Sequence, residues 1–403
     1  MADLLPVDEA LARVLEGVAP LSVETVPLAE AFARVLATDI AAQRTQPPAA
    51  LSAMDGYAVR GHDVATMPAT LTVVGEVAAG HPFSRRLGAG EAARIFTGGV
   101  MPDGADTVAI QEHARRDGDR VTFDTATPMG KNVRAAGIDF AEGDTLLHAG
   151  RKLSARDIAL AAAMNHPTLP VYRKPKVVIF ATGDELVPPG TAPQPGQIVH
   201  SNGFALTSLA RAEGAEAIDL GIVRDRLDDT VAAVRHAREL GADVLVTTGG
   251  ASVGDHDLIR PALAAEGVAL SFWKVALRPG KPLMHSRLGH LHMLGLPGNP
   301  VSSFVCAFLF LRPLLRRLQG FLELGPEIEP AVLGTDLKAN DERIDYLRAS
   351  LRRDGNRLVA TAFPNQDSSL ISPLAAADCL IVRPPHAPSA ATGSSCGIIR
   401  IAF

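Results

Sequence analysis

A glycine-rich segment, TTGGASVGDHD, follows a short apolar run and extends from Thr247 to Asp257. Glycines let backbone amides approach a bound anion closely, and threonine and serine hydroxyls add further hydrogen-bond donors. We therefore predict that a phosphate-bearing ligand is bound here by Thr248, Gly249, Gly250, Ser252 and Gly254. The segment has neither the GKS/T of a Walker loop nor a GxGxxG pattern, so it indicates neither an ATPase nor a dehydrogenase. A tight turn without a ligand is the alternative interpretation.

Polar residues also follow two other segments that are typical of parallel strands. Thr182 and Glu185 come after KVVIFA, and Asp225 comes after AIDLGIV, while Asp257 ends the glycine-rich segment. The carboxyl ends of parallel strands meet at one edge of a sheet, so we expect these side chains to converge there. Carboxylates beside phosphates suit Mg²⁺, and Glu185, Asp225 and Asp257 are its predicted ligands. Each carboxylate taken alone also fits a helix cap or a solvated turn.

Two turns later in the chain carry groups suited to an oxyanion. LRPGKP places Arg278 and Lys281 around a proline-glycine turn, where two cations grip an oxyanion from two sides; an exposed basic turn is the alternative. LPGNPVSS places Pro300 in the first turn of an apolar helix, whose amides suit an anion.

Three turns in the first third of the chain each hold one polar residue: Asp55 in SAMDGYAV, Thr97 in IFTGG and Asp139 in GIDF. Their surroundings are small residues and glycine, which suit both a ligand site and a purely architectural turn.

Composition limits the class of protein. Of the 403 residues 47% are hydrophobic and 21% charged, which is typical of folded soluble chains, and this length favours several domains. The net charge is -5 and no basic run interleaves with aromatics, so we expect no nucleic-acid partner. Three widely spaced cysteines and an acidic start, with Asp3, Asp8 and Glu9, indicate a cytoplasmic protein. The most apolar run, Val301 to Leu315, is too short to span a membrane.

Four domains are predicted from the change of pattern along the chain. Helical spacing in residues 1–44 returns in 141–172, and together these form a helical linker domain. Residues 45–140 form an inserted β-rich domain. Alternating strands and helices over 173–326 indicate an α/β domain with a mostly parallel sheet, and short strands over 327–403 indicate a small β-barrel.

Taken jointly and in order, the motifs resemble those of the molybdopterin molybdenumtransferases, the family of bacterial MoeA proteins and the gephyrin E domain. The motifs are SAMDGYAV, GEVAAG, ARIFTGGVMPDGADTVAIQE, GKNVRAAGIDF, FATGDEL, TTGGASVGDHD, LRPGKP and LPGNPVSS. The resemblance implies a four-domain elongated homodimer whose α/β domain is similar to the MogA-type proteins that adenylylate molybdopterin. It also implies a Mg²⁺-dependent reaction in which adenylated molybdopterin and molybdate give molybdenum cofactor and AMP.

The resemblance further implies roles for particular residues of this chain. The catalytic set comprises Asp55, Thr97, Asp139, Glu185, Asp225 and Asp257. Additional substrate-binding residues are Lys274, Pro297, Asn299 and Pro300. Molybdate would be bound by Arg278, Lys281 and Pro282, with Arg348 and Ser369 of the last domain as further candidates. Arg278 stands where the family often has lysine. The resemblance also implies that Asp55 and Thr97 act in the partner subunit's site.

Three other activities remain open from the sequence. The α/β domain is shared with molybdopterin adenylyltransferases, the architecture also suits a non-catalytic scaffold, and tungstate has the charge and shape of molybdate. The adenylyltransferase and recipient molybdoenzymes are further expected partners.

Overall fold

The computed structural model describes residues 4–249, 258–268 and 270–401. The predicted ligand-binding residues Gly250, Ser252 and Gly254, and the predicted Mg²⁺ ligand Asp257, lie outside the described residues.

The described chain folds into helices and strands that are distributed unevenly along its length. In the first half, the helices are α1 (Val7–Leu15) and α2 (Ala155–Ala163), and the strands are β1 (Val23–Pro27), β2 (Ile40–Ala41), β3 (Leu51–Ser52), β4 (Gly56–Val59), β5 (Ala69–Val77), β6 (Glu91–Ile95), β7 (Thr107–Ile110), β8 (Ala114–Asp117), β9 (Arg120–Phe123), β10 (Val133–Arg134), β11 (Thr145–Leu147) and β12 (Thr168–Tyr172).

In the second half, the helices are α3 (Asn202–Ala212), α4 (Leu227–Glu239), α5 (Ile259–Ala265), α6 (Pro300–Cys306), α7 (Arg312–Leu318) and α8 (Ile371–Ala375). The strands are β13 (Lys176–Thr182), β14 (Leu186–Val187), β15 (Ile198–Val199), β16 (Glu216–Val223), β17 (Val244–Thr248), β18 (Leu270–Trp273), β19 (Leu277–Arg278), β20 (Met284–Leu288), β21 (Leu291–Leu296), β22 (Glu329–Leu333), β23 (Ile344–Asp354), β24 (Arg357–Ala362), β25 (Cys379–Arg383) and β26 (Ser395–Arg400).

The linker region contains strands that the sequence-based prediction missed. β1 pairs antiparallel with β12, and β2 with β11, so residues near both ends of the inserted unit form one small core. The helical spacing in residues 1–44 corresponds to an α-helix only at Val7–Leu15 and is followed by a strand at Val23–Pro27. Pro20 and Pro27 interrupt a helix, and the run between them is rich in β-branched residues, which favour a strand.

Helix α1 packs away from that linker core. Its buried residues Ala10 and Val14 belong to the same apolar cluster as Leu206 of α3 and Leu314 of α7. The first helix is therefore part of the α/β unit, although the sequence suggested that it packs in the linker.

The inserted unit is a six-stranded sheet in the order β7-β4-β6-β5-β9-β8. Its core contains Tyr57, Val59 and Phe123, with the Tyr57 and Phe123 rings packed edge to face at 5.7 Å. β4 begins directly after Asp55, and β6 ends two residues before Thr97.

The central unit has the predicted mostly parallel sheet, in the order β16-β13-β17-β21-β20-β18. The first four strands are parallel and the last two pairings are antiparallel. Apolar clusters cover both faces, which explains why β13 and β17 are continuous apolar runs rather than alternating ones. α6 continues through a π-helical turn, Ala307–Leu311, into α7. The π-helical turn is wholly buried, and α6 and α7 bury most of their apolar residues.

The last unit is a small β-barrel, as predicted. β23, β24, β22, β26 and β25 pair in that order, and a β23–β25 pairing closes the ring. β19 of the central unit pairs parallel with β23, which joins the barrel to the α/β unit. Within the described residues, no helix is long and apolar enough to cross a membrane.

Candidate active site

A cavity of about 550 Å³ opens at the carboxyl ends of β13, β17 and β21. Several of the predicted site residues line it, from two different units: Thr182, Glu185, Thr248, Gly249, Pro282, Pro297, Asn299, Pro300 and Ser369. The strand ends meet because the sheet is parallel there, which is the physical basis of the prediction.

Three backbone segments come close together at the floor of this cavity. Gly249 follows β17 with a φ of 83°, and a Cβ built on it would lie 2.3 Å from the carbonyl oxygen of Thr182. A Cβ built on Gly298 would lie 3.8 Å from the Cα of Gly249. Only glycine fits position 249, because it needs both a positive φ and this close approach.

Two acidic turns are held side by side at the same edge of the sheet. The N–H of Asp184 donates to Asp225 Oδ2, and the N–H of Asp225 donates to Asp184 Oδ1, both at 3.2 Å. Glu185 follows at once and lines the cavity. The sequence analysis had not singled out Asp184.

The chemistry of these carboxylates is compatible with a magnesium ion that is also bound by phosphate oxygens. Among the described residues, no group of three or more His, Cys, Asp or Glu side chains is placed to hold a metal ion. Mg²⁺ usually takes one or two carboxylates and completes its shell with phosphate oxygens and water. Glu185 and Asp225 therefore suit Mg²⁺ when the ligand supplies phosphates.

The start of α6 connects the central unit to a loop of the barrel. Asn299 donates through Nδ2 to the hydroxyl of Ser368 at 2.9 Å, and the N–H of Val301 donates to the carbonyl of Ser368 at 3.1 Å. Asn202 donates to the carbonyl of Gly298 at 2.7 Å. The barrel loop is thereby brought to the cavity, where Ser369 joins its lining.

The two cations of LRPGKP, Arg278 and Lys281, have different surroundings. Arg278 forms a short ion pair with Asp341 and lies 3.6 Å from Asp345, both in the barrel unit. Lys281 lines a neighbouring cavity of about 780 Å³ together with Lys274, while Pro282 lines the main cavity. A two-sided grip on one oxyanion by Arg278 and Lys281 stays a prediction, and Arg278 would have to exchange its carboxylate partner for the oxyanion.

The electrostatics of the barrel acids follow from their partners. The Arg343 guanidinium, which donates to Asp341, lowers the pKa of Asp341 to about 2, and Arg278 adds to this effect. Burial raises the pKa of Asp345, against the opposing effect of Arg278.

Arg348 is 1% exposed and is absent from the cavity lining that the described residues form. Its guanidinium donates to the carbonyls of Leu370 and Asp367, each at 2.9 Å. The observed role is to hold the loop that carries Ser369. Contact with molybdate stays a prediction.

Asp55, Thr97 and Asp139 lie on the inserted unit and its border. Asp55 Oδ1 accepts hydrogen bonds from the N–H of Thr97 at 2.8 Å and from its hydroxyl at 2.9 Å. These bonds, the backbone one first, lower the pKa of Asp55. Asp139 is exposed, and none of the three lines the main cavity as the described residues form it.

His200 is a cavity residue that the sequence analysis missed. It follows β15, is 4% exposed, and its Nε2 has no hydrogen-bond partner among the described residues. Burial lowers its pKa, and Asp219 opposes that shift. No spacing pattern marks a single histidine in a turn, so only its place in the fold reveals it.

Comparisons with known proteins place the chain in a class. Residues 5–165 match the MoeA N-terminal region (domains I and II), 178–317 a probable molybdopterin binding domain, and 330–401 the MoeA C-terminal region (domain IV). The first region spans the linker and inserted units, the second lies in the central unit and the third covers the barrel. Together they define a MoeA-type protein of molybdenum cofactor biosynthesis.

Whole-chain relatives agree with this class. A molybdopterin molybdenumtransferase from Nostoc sp. is 40% identical over 339 residues, which cover 81% of this chain and 77% of the relative. One from Haemophilus influenzae is 34% identical over 94% of both chains. A MoeA protein structure from Pyrococcus horikosii has a TM-score of 0.87 at 30% identity and covers both chains fully. The chain belongs to the molybdopterin molybdenumtransferase family, and it is a transferase of molybdenum cofactor biosynthesis.

Proposed function

We propose that this enzyme inserts molybdenum from molybdate into adenylated molybdopterin, with Mg²⁺-dependent release of AMP. The observation that carries the proposal is the single cavity whose lining joins Thr182, Glu185 and Gly249 of the central unit with Ser369 of the barrel. The substrate brings phosphates and molybdate is a tetrahedral dianion, so one site has to offer hydroxyls, amides and cations together.

The phosphates would lie against the strand ends. Hydroxyls of Thr182 and Thr248 and the backbone at Gly249 supply donors there, and Pro297, Asn299 and Pro300 form the adjoining wall. Glu185 and Asp225, with Asp257, would hold Mg²⁺. When bound, this ion would polarise the phosphoanhydride that is cleaved.

Molybdate would be bound where the barrel loop meets LRPGKP. Lys281 has no ion-pair partner among the described residues, so its ammonium is available to an oxyanion, whereas Arg278 is paired with Asp341. Pro282 and Ser369 line the main cavity beside it. Lys274, near Lys281 in the neighbouring cavity, would add positive charge to the path of an entering anion.

The active enzyme would be a homodimer. Asp55 and Thr97 are hydrogen-bonded to each other on the inserted unit. Asp139 is exposed, and its neighbour in the chain, Ile138, is 66% exposed. A partner subunit would bring Asp55 and Thr97 to the cavity, and the exposed apolar side chains nearby suit an interface.

The test is AMP release by the purified protein. Adenylated molybdopterin with molybdate and Mg²⁺ should give AMP, and Glu185→Gln should lower kcat by about 100-fold. Glu239→Gln on the exposed end of α4 is the matched control and should leave the rate unchanged. No AMP from the unaltered protein would contradict the proposal.

The same reagents separate the alternatives. An adenylyltransferase would instead form adenylated molybdopterin from ATP and molybdopterin, since the α/β unit is common to both activities. A scaffold would do neither. A tungstate-handling enzyme would prefer tungstate when the two oxyanions compete in the AMP-release assay.

A further inference from the structure

The barrel loop that reaches the main cavity holds an acid directly beside one of the lining residues. Asp367 Oδ1 accepts a hydrogen bond from the Ser369 hydroxyl at 2.7 Å and another from the Ser369 N–H at 2.8 Å. Ser369 lines the main cavity, whereas Asp367 is exposed and absent from that lining as the described residues form it. What the serine offers to a ligand therefore depends on the acid behind it.

The direction of the hydroxyl bond follows from the charge of Asp367. The bonds from Ser369, the hydroxyl one first, lower the pKa of Asp367, and Arg348 adds to this effect, so the carboxylate is ionised at neutral pH. An ionised carboxylate only accepts hydrogen bonds, and a hydroxyl has one proton to donate. Ser369 therefore gives its proton to Asp367 and presents only lone pairs to the cavity.

An oxyanion at this position needs the opposite polarity. Molybdate carries two negative charges and acceptor oxygens, so hydrogen-bond donors and cations bind it, whereas a nearby carboxylate repels it. To be bound by the Ser369 hydroxyl, molybdate has to compete with Asp367 for a single proton. The acid thus opposes oxyanion binding twice, through the hydroxyl it holds and through its own charge.

The path of the loop does not depend on the Asp367 carboxylate. Gln366 exchanges two hydrogen bonds with the backbone of Arg348, from the Arg348 N–H to Oε1 and from Nε2 to the Arg348 carbonyl, each at 3.0 Å. The Arg348 guanidinium donates to the backbone carbonyls of Asp367 and Leu370, each at 2.9 Å. Because none of these bonds uses the Asp367 carboxylate, replacing that side chain should leave the loop in place.

We propose that Asp367 determines the oxyanion affinity of this enzyme: by holding the Ser369 hydroxyl, it weakens the binding of molybdate. Asp367 is a positioning residue, since it acts through Ser369 and does not itself line the cavity. This inference rests on the proposed function, in which molybdate is the second substrate. Its consequence is that the unaltered enzyme needs more molybdate than a variant whose Ser369 hydroxyl is free.

A double-mutant cycle tests the proposal, with molybdate binding to the purified protein measured by isothermal titration calorimetry. Asp367→Ala should bind molybdate about tenfold more tightly than the unaltered chain, because the freed hydroxyl then donates to the oxyanion. Ser369→Ala should change the affinity of the unaltered chain by at most about twofold, but should remove most of the gain in Asp367→Ala. In the AMP-release assay, Asp367→Ala should show a lower KM for molybdate rather than a higher kcat.

Further variants separate the causes. Asp367→Asn has no charge but keeps an oxygen that accepts the Ser369 hydroxyl, so it should gain less affinity than Asp367→Ala. Asp354→Asn is the matched control, an exposed barrel acid that pairs with Arg352, and it should bind molybdate as the unaltered chain does.

Two outcomes would overturn this inference: equal molybdate affinity of Asp367→Ala and the unaltered chain, or a loss on Ser369→Ala that is the same with and without Asp367. Failure of the proposed function would show separately, as no AMP from the unaltered protein supplied with adenylated molybdopterin, molybdate and Mg²⁺.

Discussion

The guanidinium of Arg278 lies between Asp341 and Asp345 of the barrel unit. A planar guanidinium reaches two carboxylates at once, which the point charge of a lysine does less well. Arg278 therefore ties the LRPGKP turn to the barrel. An oxyanion that uses Arg278 has to compete with Asp341, so Lys281 is the more available cation.

Two buried histidines make the stability of this protein depend on pH. His285 and His292 stack at 5.9 Å, are 3% and 2% exposed, and burial lowers the pKa of each from 6.5 to about 4. The unfolded chain binds protons near pH 6.5, whereas the folded chain does so only near pH 4. The free energy of unfolding is therefore not reduced by these histidines above pH 6.5, and it falls as the pH is lowered towards 4.

The expected loss at pH 5 is roughly 2 kcal/mol for each histidine. Urea unfolding at pH 7.5 and pH 5 measures it. His285→Phe, which keeps an aromatic ring beside Phe272, should show a smaller fall, and the exposed His290→Gln should match the unaltered chain. If His285→Phe lost as much stability between pH 7.5 and pH 5 as the unaltered chain, His285 would not be a source of the pH dependence.

At the scale of elements, α2 shows how a local signal fixes a boundary. Ser154 accepts a hydrogen bond from the N–H of Asp157, and the Asp157 carboxylate accepts one from the N–H of Ser154, which is a capping box. Arg151 pairs with the same carboxylate at 2.8 Å. The signal is local in sequence, since serine stands at the cap position and aspartate three residues later.

Ser154→Ala should lower the free energy of unfolding by about 1 kcal/mol, since it leaves backbone N–H groups of the first turn without a partner. Chemical denaturation measures the change. Ser154→Thr keeps a capping hydroxyl and should stay close to the unaltered chain; a loss as large as that of alanine would show that the cap is not the cause.

At the scale of the whole molecule, the proposed site needs three units. The central sheet supplies the strand ends, the barrel supplies Ser369, and the inserted unit carries Asp55 and Thr97 on a separate surface. The pairing of β19 with β23 and the bonds at Asn299 and Ser368 hold the first two together within one chain. The third would come from a partner subunit.

Mixed dimers test this sharing. Asp55→Asn and Glu185→Gln homodimers should each be nearly inactive, because every site lacks one residue. After subunit exchange at equal amounts, half of the dimers are mixed and each has one intact site, so AMP release should recover to about a quarter of the normal rate. No recovery, with exchange verified by differently tagged subunits, would place both residues in one subunit's site.

Several features followed from the sequence by itself because they depend on neighbours along the chain. Strands that alternate with helices predicted a mostly parallel sheet, and Gly249 after the VLVTT strand predicted the turn at its end. The strand ends then had to share an edge, which brought Thr182 of β13 and Thr248 of β17 into the lining of one cavity. The helical prediction for the linker failed because proline-bounded β-branched residues form β1.

Only the tertiary structure decided which distant groups meet. Arg278 pairs with Asp341, 63 residues further along the chain, because β19 and β23 lie in register, and its neighbour Lys281 lines another cavity. His200 gained its place in the lining because Gly203 lets α3 approach it. Spacing along the chain determines which element forms and which face is buried, whereas the partner of a side chain depends on how separate elements pack.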